Sequence, residues 1–154
     1  MRVAGVRAAD LKGFQYSRDD VDARSLANQY AQILGQIFTH EMKPLEVEIL
    51  VAEVGQTPAG DQMFLIQYDG TVYDHRDHTV LGGDADTILA RITESYQEGF
   101  DAGAAVRAGA AALAGPDRTL PATDLEVALL ARGNGRRCFR RLDDDAVAAL
   151  LAAT

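Results

Sequence analysis

The sequence predicts an α+β fold built on mostly antiparallel sheet, and three observations carry that expectation. Apolar residues recur with helical spacing over residues 23–40 and then alternate with a period of two over 46–54, with Pro44 between the two regimes. Strand-like stretches come grouped rather than alternating singly with helices, which argues against a doubly wound parallel sheet. Asp69-Gly70 and Asn134-Gly135, dipeptides favoured in short hairpin turns, each stand between two such stretches.

Taken in order, residues 1–17 read as a helix interrupted or ended at Gly13, with Val3, Val6 and Leu11 loosely spaced for one face. Asp20 or Asp22 then supplies the cap for a helix over 23–40. Leu26, Tyr30, Leu34 and Phe38 run along that helix at i, i+4, and Ala27, Ile33 and Ile37 widen the stripe enough to cover a sheet. Gly35 costs about 1 kcal/mol of helix propensity relative to Ala, so it is expected to mark a close approach of a neighbour.

Residues 46–54 follow as a strand, with Val47, Ile49 and Val51 on one face and Leu50 and Ala52 on the other. A second strand over 62–68 is apolar on both faces at its centre. Asp69-Gly70 turns it, in a hairpin of the two-residue kind, into the return arm 71–74. The run HTVLGG, 78–83, leads to another short strand, and Gly82, Gly83 and Asp84 switch the chain to helix. Ala85, Leu89, Ile92 and Tyr96 share one face of that helix. An Ala- and Gly-rich helix follows over 101–114, and a loop over 115–122. A strand over 123–131, the Asn134-Gly135 turn, a return strand over 136–142 and a closing helix headed by Asp143, Asp144 and Asp145 complete the order.

The chain has 154 residues, which suits a single domain over 1–154 with its own core. Its net charge of −8 fits a cytoplasmic protein and argues against general binding to nucleic acid or anionic membrane. No apolar run reaches the 18 residues of a membrane span, and the first residues lack the apolar core of a signal peptide. Cys138 stands alone, so it has no internal disulfide partner and reads as a structural thiol.

Four candidate chemistries were weighed on the residues. Asp74, His75, Asp77 and His78 crowd five positions, but on a strand His75 and His78 point to opposite faces, and Arg76 adds positive charge between them. A polar hairpin rim is the expectation, with some sensitivity to pH from its histidines. His40-Glu41 begins like a zinc-binding helix motif, but Pro44 stands where the second histidine belongs, which leaves a helix end with a favourably placed cation. Cys138 lies among Arg136, Arg137, Arg140 and Arg141, which would favour a thiolate, yet no histidine is near in sequence. The arginines read as a solvated rim or as partners for carboxylates. Gly82-Gly83 and Gly133-x-Gly135 lack the phosphate-loop form. No catalytic, cofactor-binding or metal-binding residue is therefore assigned, and no cofactor is expected.

The runs YSRDDVDARSLANQYAQILGQIFTHEMKPLEVEILVAEVG, LIQYDGTV, VLGGDADTILARITESY and DLEVALLARGNGRRCFRRL together resemble the proteasome α-type subunit family, of the actinobacterial kind, from about residue 5 onward. The resemblance implies the N-terminal-nucleophile hydrolase sandwich, two antiparallel sheets between two helical layers. It implies a non-catalytic member of a heptameric α ring in the 20S core. Its partners would be other α subunits, the β rings and an activating ATPase ring. The nucleophilic threonine of such cores belongs to β subunits, and its chemistry needs a free N-terminal amine as base. Family members run well past two hundred residues, so the chain is expected to match their C-terminal two-thirds. It would then lack the gating tail, the outer helix and the early strands, and residues 2–17 would correspond to the latter part of the first central helix. A sandwich without those strands would expose sheet edges and apolar surface. Three further functions stand beside this one: a self-processed hydrolase with its own activity, a standalone α+β binding protein, and a non-functional fragment. Helices 23–40 and 85–98 are the segments expected to carry contacts.

Overall fold

The computed structural model describes residues 1–133 and 138–153 and divides into two compact units, residues 1–76 and 77–154. The mixture of helices and antiparallel sheets agrees with the α+β expectation.

In the first unit, α1 (Arg2–Gln15) leads through a 3-10 turn (Arg18–Asp20) to α2 (Ala23–His40). Gly13 does not break α1, contrary to expectation; the helix runs to Gln15. A Cβ there would make only ordinary contact, 3.5 Å from side-chain atoms of both Arg18 and Val21. Asp22 is the cap of α2: its Oδ1 accepts from Ser25 N at 2.7 Å, and its Oδ2 accepts from Lys12 Nζ of α1 at 3.1 Å. Glu53 adds a second carboxylate to the same helix start, accepting from Ala23 N at 2.6 Å. Both negative charges sit where the helix dipole is positive.

Strands β1 (Ile49–Glu53), β2 (Gln62–Ile66) and β3 (Val72–His75) form an antiparallel sheet in that spatial order. Val51 pairs with Phe64 and Ile49 with Ile66, so alternate residues of β1 and β2 face α2 together. There they meet Ala23, Ala27, Tyr30 and Leu34 in one buried cluster. Phe64, Leu34 and Ile66 are almost fully enclosed, and each contributes roughly 1.5–3 kcal/mol by leaving water. Leu65, on the opposite face of β2, is also buried, as the doubly apolar centre of that strand predicted.

The hairpin between β2 and β3 differs from expectation. Gly70 N donates to Gln67 O and Gln67 N donates to Thr71 O, both at 2.9 Å, so the loop has three residues, Tyr68, Asp69 and Gly70. A two-residue turn of the Asn-Gly type needs left-handed backbone at both central positions. Only Gly70 has it (φ 89°), and no non-glycine residue has positive φ among the described residues. Asp69 instead accepts from Thr71 N at 2.8 Å, which fixes the turn from the side chain. That bond is the main reason its carboxyl titrates below the usual range.

In the second unit, α3 (Ala85–Ser95), α4 (Ala102–Ala114) and α5 (Asp144–Ala152) accompany a ribbon of β4 (Ala128–Leu130) and β5 (Phe139–Arg141). α4 packs against both α3 and α5, with Gly103, Ala112, Ala114 and Val147 buried. Asp101 caps α4 through Ala104 N at 2.7 Å, and Asp143 caps α5 through Ala146 N at 2.9 Å. The last carbonyls of α4 are closed by arginines: Arg91 Nη1 donates to Ala112 O at 3.1 Å, and Arg118 Nε donates to Ala114 O at 3.2 Å. Arg107 reaches Leu150 O of α5 at 2.9 Å.

Two expected strands are corrected here. Residues 78–83 form no strand, because no ladder partner is paired there, and Gly82 and Gly83 both take left-handed backbone (φ 68° and 54°) that bends the chain. The strand expected over 123–131 is reduced to 128–130, because Pro121 opens a 3-10 turn (Ala122–Asp124), with Asp124 N donating to Pro121 O at 3.0 Å. The Asn134-Gly135 turn, Arg136 and Arg137 lie outside the described residues. The strands flanking that turn do pair antiparallel, Leu129 opposite Arg140.

Candidate functional site

The densest run of titratable side chains, residues 74–78, does not form one constellation. β3 ends at His75, so the strand alternation expected to run on to His78 stops there. Asp74 lies opposite Phe64 on the α2 side of the sheet, and its Oδ2 accepts from Arg24 Nη2 of α2 at 3.2 Å. The same guanidinium stands 4.8 Å above the Phe64 ring, so Arg24 closes the edge of the core with one face and pairs with Asp74 through its rim. His75 lies on the other face of the sheet beside Tyr73, ring centres 6.4 Å apart.

His78 belongs to the second unit. Its Nε2 stands 3.0 Å from Thr93 Oγ1 of α3, and its ring is 5.0 Å from that of Tyr96, which in turn meets Phe100 at 5.8 Å. Tyr96 titrates above the ordinary tyrosine range, chiefly through burial and then through the negative fields of Asp77 and Glu98. Among the described residues, no group of three or more His, Cys, Asp and Glu side chains could hold a metal ion.

The remaining sequence candidates are likewise placed in structural surroundings. His40 is the last residue of α2, with Nδ1 3.0 Å from Gln36 O, as the helix-end reading predicted. Cys138 is half-buried just before β5, and its carbonyl accepts from Ala131 N at 2.9 Å. Arg141 pairs with Glu126, the carboxylate partnership expected for this arginine group. Gly82 and Gly83 have open space around them and mark the bend before α3.

The structure also leaves apolar surface exposed. α2 spends its stripe on the sheet, and Phe38, 43% exposed, leans on Tyr68 at 5.6 Å. α1 exposes far more: Val3, Val6, Leu11 and Phe14 all face solvent, Phe14 at 89%, followed by Tyr16. The signal for this lay in the loose spacing of Val3, Val6 and Leu11, which no single buried stripe can absorb. A second apolar row crosses the sheet face turned away from α2, where Leu50 pairs with Leu65 and Leu65 with Tyr73. Its outer members, Leu50 and Tyr73, are nearly half exposed. Among the described residues no helix is long and apolar enough to cross a membrane.

No family model matches the chain. Comparison with curated proteins is more informative. The chain is 55% identical over 147 residues to the proteasome subunit alpha of Acidimicrobium ferrooxidans, covering 96% of this chain and 63% of that relative. It is 48% identical over 162 residues to the subunit of the same name from Actinosynnema mirum, covering 100% of this chain and 62% of the relative. It is also 48% identical over 164 residues to that of Kineococcus radiotolerans, covering 100% of this chain and 69% of the relative. The chain thus spans less than two thirds of the first two relatives.

Proposed function

Since the chain belongs to the proteasome α-subunit family, we propose that it serves as a non-catalytic α-ring subunit of a 20S core particle. It would support ring assembly, gated entry of substrate and docking of an activating ATPase ring, with peptide-bond cleavage left to β subunits. The observation that carries the reading is identity of 48% along the whole chain to a relative of which it covers 69%. The apolar surfaces of α1 and of the outer sheet face support it, because large exposed apolar areas on a soluble chain suit burial in an assembly.

The finer parts of the proposal are these. The 154 residues make up one domain, corresponding to the C-terminal two-thirds of such a subunit. The complete fold is the four-layer sandwich of two helical layers around two antiparallel sheets. Its partners are further α subunits, β subunits and an ATPase ring, and its compartment is the cytoplasm. Co-expression with cognate β subunits, followed by native mass measurement, tests the assembly role. The expected result is a complex whose mass contains several copies of this chain together with β subunits. A chain that stays monomeric and binds no β subunit overturns the proposal.

A further inference from the structure

The contact of His78 with α3 has a consequence that follows from counting protons. Thr93 Oγ1 donates its one hydrogen to Leu89 O at 2.7 Å. The hydroxyl can therefore only accept from His78, and Nε2 at 3.0 Å must carry the proton of a neutral ring. That leaves Nδ1 as the bare nitrogen, and it is buried with no hydrogen-bond partner among the described residues.

We propose that His78 is a pH-operated latch on the C-terminal end of α3 and the connection to α4. The neutral ring fits its place with Nε2 on Thr93 and one face on Tyr96. The imidazolium does not, because a second N–H would sit on Nδ1 without an acceptor, and an unpaired buried donor on a charged group is costly. The ring relieves that cost by turning out to water. Thr93 then loses its donor, Tyr96 loses its ring partner, and the chain of rings through Tyr96 to Phe100 is cut at its first link.

The charged groups around the latch favour its open, protonated state. Asp77 precedes His78, and Glu98 comes from the connection after α3; both act on the phenol of Tyr96, whose ring meets His78 at a tilt. α3 itself offers Thr93, while its Arg91 is turned to Ala112 O. An imidazolium turned out from this place has the carboxylate of Asp77 as its neighbour in the chain. Histidines change charge between about pH 5 and 8, so the latch works in a range a cell can reach.

The test uses the 154-residue protein. Hydrogen–deuterium exchange over residues 89–100 is followed from pH 8 to 5.5 and corrected for the intrinsic rate. Protection is expected to fall by about fivefold in the native chain, the size of effect a lost hydrogen bond of about 1 kcal/mol produces. It is expected to stay level in His78→Gln, whose amide can donate to Thr93 but takes no proton, and in His78→Phe, which keeps the ring contact. Proton NMR of the native chain gives an independent reading: the His78 ring and the Tyr96 ring are expected to titrate with one midpoint. Flat protection in the native chain, the same loss in either variant, or a Tyr96 ring that ignores the His78 titration overturns the proposal.

Discussion

Gly70 presses against Gly35: a Cβ built on Gly70 would stand 3.0 Å from the Cα of Gly35 and 2.6 Å from the carbonyl oxygen of Ala31. The hairpin loop between β2 and β3 therefore rests directly on the backbone of α2, and a glycine is required at position 70; a Cβ on Gly35 would make only ordinary contact, 3.5 Å from the carbonyl oxygen of Asp69. Gly70→Ala adds the cost of left-handed backbone for a residue with a Cβ, roughly 1–2 kcal/mol, to a clash with main chain that cannot rotate away. A total loss of about 2–4 kcal/mol is expected from urea unfolding. Gly82→Ala is the control, because its backbone is also left-handed but the added Cβ would meet nothing within 4 Å among the described residues; it should cost only about 1–2 kcal/mol. Equal losses in the two variants would show that the contact with α2 contributes nothing.

The Arg24, Phe64 and Asp74 group separates packing from charge. Phe64 is enclosed, so Phe64→Ala should destabilise by about 3–5 kcal/mol. Arg24 and Asp74 are both more than half exposed, so Asp74→Asn should cost no more than about 1 kcal/mol, and less in high salt. Chemical denaturation at low and high ionic strength checks both.

Asp22 ties stability to pH. Its carboxyl is held below the ordinary value of 3.8, first by the bond from Ser25 N and then by Lys12. A depressed folded value means the contribution is present above the unfolded value and fades as pH falls through the folded one. Asp22→Ala should therefore cost about 1 kcal/mol at pH 7, the usual worth of such a cap. The gap between variant and native chain should shrink below about pH 4. Urea midpoints at pH 7 and pH 3 are the measurement; a gap that stays constant would assign the cost to something other than the ionised cap.

Phe14 tests the assembly surface. It is 89% exposed, so Phe14→Ser should change the unfolding free energy of the isolated chain by less than about 0.5 kcal/mol. In co-expression with β subunits the same variant should reduce the yield of complex seen by native mass measurement. An unchanged yield would remove α1 from the contact surface.

Some of this was readable in the residues and some was not. α2 was legible in its whole length because its cap, its stripe and its end all agree: Asp22 bonds Ser25 N, Tyr30 and Leu34 are buried, and His40 closes the helix. Gly35 announced a close neighbour, and the neighbour proved to be the hairpin at Asp69 and Gly70. The loop length there was not legible, because Asp-Gly serves two turns that differ in where left-handed backbone begins. Residues 78–83 and 123–127 have strand-like composition, but a strand exists only when a partner supplies a ladder, and composition does not reveal pairing. The partners of Asp74 and His78 were not legible for a related reason. Adjacency in sequence said nothing of Arg24, fifty positions away, or of Thr93, which take Asp74 and His78 respectively.

The arginines of α3 and α4 have an effect beyond closing carbonyls. Its shaft is almost all alanine and glycine, and such a surface offers little to distinguish one axial position from another. Sliding by a single turn, about 5.4 Å, would leave similar small side chains opposite similar neighbours. Arg91 and Arg107 end that ambiguity: from α3, Arg91 meets a carbonyl in the last turn of α4 that the helix itself leaves open, and Arg107 carries a bond from the shaft to Leu150 O of α5. α4 is thus indexed like a rod pinned at two points, and sequence drift along the rest of the shaft can be tolerated as long as both pins are kept.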